Sequence, residues 1–186
     1  MKKIGILLLA LAGLLMIGIT ASRKPQPFDH TAAIYKTHTV TMNMIESHRS
    51  TPAFTDREII DAILKNVMLE EEAQNRGIHV TEKDVEAFLA STVYASYEME
   101  EGKASIDAYC EDAGLTFDEY VASVREAAPS IIRKAKLERD IAETYCKEHS
   151  LVFDERNPSQ EIRDAVKEEE NAIFEAHKHE IQYFVK

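Results

Sequence analysis

The 186-residue sequence is poor in the residues on which several function classes depend. Its two cysteines, Cys110 and Cys146, are too few for a disulfide framework, and they read either as one pair or as two buried thiols on separate helices. No glycine-rich loop is present to cradle a phosphate, so nucleotide use has no support. The formal net charge is −11, and no basic face is concentrated enough to bind nucleic acid. HExxH spacing is absent. His177 and His179 flank Lys178, and residues two apart on a helix point away from each other, so the pair reads as a solvated helix end. No nucleophile has a local base and orienting partner. The sequence therefore suggests no catalytic residue, no metal and no cofactor. Glu70, Glu71 and Glu72 read as a wet helix face.

One long apolar run is present. Lys2 and Lys3 precede eighteen uncharged residues from Ile4 to Ala21, and Arg23 and Lys24 follow. This is the layout of a secretory signal or an uncleaved anchor, at the low end of the roughly 17 to 25 residues that span a bilayer. Residues 1–22 are therefore expected to form a signal anchor, or a signal peptide cleaved near Ala21. The body would lie outside the cytoplasm, held by a single pass or secreted. No cysteine follows the run, so a lipid anchor of the lipoprotein type is unsupported.

Residues 23–54 are expected to be a linker with a short strand at most. Pro25, Pro27, Ser50, Thr51 and Pro52 punctuate it, and proline removes backbone donors. Between them, Val40, Met42 and Met44 alternate with Thr41 and Asn43, a weak strand pattern, while Ile34, Tyr35 and Ile45 would suit a helix equally well.

From residue 55 to 155 the periodicity is helical, and composition provides for one modest core. Thr55 is placed as an N-cap with Asp56 and Glu58 in the first turn, and Ile59, Ile60, Ile63, Leu64, Val67 and Met68 recur at helical spacing. Gly77 reads as the stop, and Thr81 as the cap of a second helix carrying Val85, Phe88 and Leu89. Gly102 is expected to end that helix, with Ser105 capping a short third one that Gly114 stops. Thr116 and Glu119 have capping-box spacing ahead of a fourth helix, which Pro129 would kink or divide. Residues 156–186 are expected to form a C-terminal helix, roughly Ser159 to His179, too polar to stand without a packing partner. Ile181, Tyr183 and Val185 alternate as in a short strand.

The run LEEEAQNRGIHVTEKDVEAFL, followed by AGLTFDEYVASVREAAPSIIRKAKLERDI, resembles the N-terminal chaperone domain of SurA and its PrsA-like and trigger-factor-like relatives. The matching positions are Leu69, Glu72, Ala73, Gly77, Ile78, Val80, Thr81, Asp84 and Val85, then Gly114, Thr116, Asp118, Glu119, Tyr120, Val124 and Arg125. The resemblance covers about half the chain. It implies an all-α, mainly helical fold of the SurA N-terminal type with the C-terminal helix packing back on it. HTVTMNMIESHRS does not match the strand and turn with which the family opens, and no parvulin isomerase domain follows Phe153. The resemblance accordingly implies a holdase for unfolded or exported polypeptides, working without ATP, and no isomerase.

A holdase needs exposed apolar surface. Val93, Tyr94, Tyr97 and Met99 are the expected polypeptide-binding residues, because they continue the second helix beyond its clear core positions, and aromatic rings and methionine make adaptable contacts. The bland alternative is that these side chains pack against the fourth helix. A second functional reading is an anchored helical adaptor for one dedicated partner protein.

Overall fold

The computed structural model describes residues 29–49 and 53–185. The protein is mainly helical, with one small sheet. The expected signal or anchor run lies outside the described residues. Among the described residues no helix is long and apolar enough to cross a membrane.

Strands β1 (Thr31–Tyr35) and β2 (His38–Thr41) form an antiparallel hairpin that pairs Ala33 with Val40 and Tyr35 with His38. Its tight turn uses Lys36 in a left-handed conformation, φ 51°. Helix α1 (Met42–His48) follows at once, because the Thr41 hydroxyl accepts the Met44 N–H and caps it. This corrects the expected linker. Ala32, Ala33, Tyr35, Val40 and Ile45 are core residues, and the alternation through Met42 and Met44 lies on a helix.

Helix α2 (Asp56–Asn75) opens on a reciprocal capping box between Thr55 and Glu58. At its end the Ile78 N–H reaches the Ala73 carbonyl at 2.8 Å and the Gly77 N–H the Gln74 carbonyl at 2.9 Å, with Gly77 at φ 73°. That is a Schellman stop, with Ile78 and Ala73 joined in one apolar cluster. Helix α3 (Glu82–Leu89) is capped by Thr81 and Asp84, and continues through a π-helical turn, Ala90–Tyr94, into a last short turn, Ala95–Tyr97. Helix α4 (Glu100–Ala113) ends at Gly114, φ 67°, in the same manner as α2.

Helix α5 (Phe117–Glu148) begins at the Thr116–Glu119 capping box and runs on through Pro129 as one helix. Helix α6 (Gln160–His177), capped by Ser159, leads through a 3-10 turn to β3 (Gln182–Tyr183). Strand β3 pairs antiparallel with β1, giving the sheet order β2-β1-β3.

Two further expectations are corrected. Gly102 does not end the second helix: the chain turns earlier, at Glu98 and Met99, and Gly102 lies inside α4. Ser105 caps nothing; its hydroxyl donates back to the Glu101 carbonyl within α4.

The described residues divide into two compact units, Val80–Ile132 on one hand and the residues up to His79 with those from Arg133 onward on the other. The single modest core is thus replaced by separate clusters. In the larger unit the sheet and α1 pack on Ile59, Ile60, Leu64 and Met68 of α2 and Phe174 of α6. Leu69 and Ala73 meet Leu137 and Ile141 of α5, with Val166 and Ile173 of α6 against them. Arg76 fastens this packing at its rim, reaching Glu72, Asp140 and Glu169. The smaller unit has its own core of Val85, Leu89, Val93, Cys110, Tyr120, Val121, Val124 and Ala128. Each fully buried Leu, Ile or Val is worth about 1.5–3 kcal/mol. Cys110 and Cys146 are both free and buried, in different clusters.

Candidate polypeptide-binding face

The four residues proposed from sequence lie where the end of α3 turns into α4, and they divide by role. Val85, Leu89 and Val93 follow one another at four-residue spacing, so Val93 continues the buried stripe of α3. It is 1% exposed and unavailable to a ligand, which removes it from the site. Across the π-helical turn, the Ala95 N–H bonds to the Ala90 carbonyl five residues back. Tyr94 and Tyr97, three apart, both meet the ring of Phe117 at the first position of α5. Tyr94 approaches it edge-on at 6.3 Å between centroids, and Tyr97 stacks on it at 4.0 Å.

Tyr97 is thoroughly committed. Its hydroxyl donates to Asp107 Oδ1 at 3.0 Å, and Lys103 Nζ lies 4.7 Å from its ring centroid while pairing with Asp107. That pairing holds the Asp107 carboxyl below the usual carboxylate range. Tyr94 and Met99 are different: each is 41% exposed. Met99 is the extended residue preceding α4, and it has no capping side chain of its own. Gly102 makes the turn possible, since a Cβ there would lie 2.1 Å from the Ser96 carbonyl oxygen.

Sequence reasoning missed Phe117 as the centre of this face. Its location directly after a capping threonine gives no sign in the sequence that two tyrosines converge on it. In the sequence Arg125 stands out only as a position of the family resemblance, and its partners are not legible there. It bridges to Glu82 at 2.7 Å and to Glu86, tying α5 to α3, and the ion pair holds the Glu86 carboxyl low. The other large exposed apolar side chains, Phe54, Leu151, Val152 and Phe184, belong to the larger unit.

Burial, with Asp107 nearby, raises the Cys110 thiol above its ordinary value, the opposite of nucleophilic activation. The His177 ring nitrogen Nδ1 lies 2.7 Å from Glu180, and no grouping of three or more potential metal ligands occurs among the described residues. What the face offers is an aromatic and thioether surface bordered by carboxylates. No protein-family model, curated protein or solved structure matches the chain.

Proposed function

We propose that this chain is an extracytoplasmic, membrane-anchored module of the SurA N-terminal type that holds unfolded or exported polypeptides without ATP. The observation that carries the reading is the exposure of Tyr94, edge-on to the Phe117 ring, and of Met99 five residues further on, ahead of α4. Soluble proteins bury most large apolar side chains, and contiguous exposed ones mark interaction sites. An exposed tyrosine and methionine suit clients of varied sequence, because neither requires a fixed hydrogen-bond geometry.

The helical framework supports the same reading. The Gly77 stop and Thr81 restart form the corner on which the family resemblance rests. The proposed activity is binding alone, with no isomerase step.

The test is aggregation of a chemically denatured model protein in the presence of the purified full-length chain, without nucleotide. Slower aggregation at a several-fold molar excess is expected, and no effect at that ratio would sink the proposal. A photo-crosslinker placed at Tyr94 in cells separates a holdase from an adaptor. Many unrelated exported proteins are expected; one stoichiometric partner would favour the adaptor.

A further inference from the structure

We propose that the Tyr94–Met99 face selects cationic amphipathic segments, stretches in which Lys or Arg alternates with apolar side chains. The inference rests on the polypeptide-binding reading and names the substrate class of that site. Its basis is the distribution of charge. Residues 80–132 contain twelve Asp and Glu against three Lys and Arg, a formal charge of −9 in 53 residues, whereas the whole chain carries −11 in 186.

The few cations of this unit are largely used internally. Arg125 is held by Glu82 and Glu86, and Lys103 is held by Asp107. By contrast Glu98, Glu100 and Glu101, which flank Met99, and Asp118, which follows Phe117, are exposed and form no ion pair among the described residues. Carboxylates without counter-charges beside exposed apolar side chains complement a ligand that alternates the two chemistries.

The unit already contains an internal copy of the proposed contact. Lys103 sits over the Tyr97 ring with Asp107 receiving its charge, a cation placed between an aromatic face and a carboxylate. Tyr94 has an exposed ring with Glu98 one helical turn further on, and no cation lies over that ring among the described residues. A client Lys or Arg would complete there what Lys103 completes at Tyr97, while its apolar neighbours cover Met99. A purely solvating role for the charge would explain an acidic surface but not its concentration in the unit that exposes Tyr94 and Met99.

Three labelled synthetic peptides test this against the full-length chain by fluorescence anisotropy. They share their Leu and Phe positions and carry Lys, Gln or Glu between them. At low salt the Lys peptide should bind about tenfold more tightly than the Gln peptide, with the Glu peptide weakest. Near 1 M salt, where the Debye length falls to about 3 Å, the differences should shrink to within about threefold. The triple substitution Glu98→Gln, Glu100→Gln, Glu101→Gln should weaken the Lys peptide about fivefold and leave the Gln peptide unchanged, since only the former uses long-range attraction. Joint Tyr94→Ser and Met99→Ser should weaken all three. Equal binding of the three peptides would overturn charge selection and leave polypeptide binding standing; no binding by any would overturn both. Lys-peptide binding indifferent to the Tyr94 and Met99 changes would show that charge is read elsewhere, and would overturn the proposed face.

Discussion

A methyl group added at Gly102 would meet the Ser96 carbonyl oxygen at 2.1 Å, and one added at Gly77 would meet nothing within 4 Å. At Gly102 the backbone is ordinary helix, so alanine gains roughly 1 kcal/mol of helix propensity. Against that, overpacking costs about 1–3 kcal/mol, and the atom in the way belongs to backbone that cannot swing aside. Gly102→Ala should therefore lower the urea midpoint and weaken peptide binding through displacement of Met99; an unchanged midpoint would mean that the turn relaxes freely. At Gly77 space is open but φ is 73°, so Gly77→Ala should cost about 1 kcal/mol through left-handed strain alone, with peptide binding retained. The capping residues make a further prediction at this scale. Backbone and hydroxyl donors of Thr116 hold the Glu119 carboxyl below its ordinary value, and Thr55 does the same for Glu58. A carboxyl depressed in the folded state binds fewer protons there than in the unfolded chain. Its stabilisation is complete above the ordinary carboxyl range and is lost as pH falls through the folded value. Glu119→Gln should leave neutral-pH stability nearly unchanged, because glutamine still serves in the box. It should flatten the loss of stability between about pH 5 and pH 3, measured by denaturation at each pH; an unaltered slope would show that Glu119 does not contribute to it.

At the scale of elements, the C-terminal strand holds the start of the described fold to its end. Strand β3 pairs Tyr183 with Ala33 and Gln182 with Ile34, and the Phe184 N–H reaches the Ala32 carbonyl at 2.8 Å. Ile181 is buried in the same cluster, with Tyr183 and Val185 packed on it. The Tyr183 hydroxyl donates to Asp61 on α2, and burial together with that carboxylate pushes its phenol up to about 12. Truncation after Glu180 should cost about 3 kcal/mol or more from the lost burial of these side chains, and should speed hydrogen exchange in β1. Unchanged exchange in β1 would mean that the hairpin stands without β3. This pairing was hard to read in the sequence, because a two-residue strand depends on a partner some 150 residues away. Helix boundaries at Thr55, Thr81, Thr116, Gly77 and Gly114 were legible because caps and left-handed stops are written within four or five residues. Pro129 shows the limit of such local rules: it does not divide α5, which is one helix from Phe117 to Glu148. Met99, Tyr94 and Tyr97 were legible as candidates, whereas Phe117 required knowledge that the end of the α3 segment meets the start of α5.

At the scale of the molecule, buried side chains are not pooled. The core formed by Leu89, Val93 and Val124 lies wholly within Val80–Ile132, and the clusters built on Leu64, Leu69 and Cys146 lie wholly outside it. Among the described residues the chain passes between the two units at His79–Val80 and Ile132–Arg133. A small unit buries a smaller fraction of its surface, and like charges repel within a compact body, so the 53-residue unit with charge −9 should be the less stable of the two. That is the stability expected of a binding element, since ligand-binding regions come from the low end of local opening free energies. Leu89→Ala and Leu64→Ala test the separation, each removing a fully buried side chain at a cost of about 2–5 kcal/mol. Under native conditions Leu89→Ala should speed hydrogen exchange in α3 and α4 and leave α2 protected, while Leu64→Ala should speed exchange in α2 and β1. If either change loosened all four elements alike, the two cores would open as one.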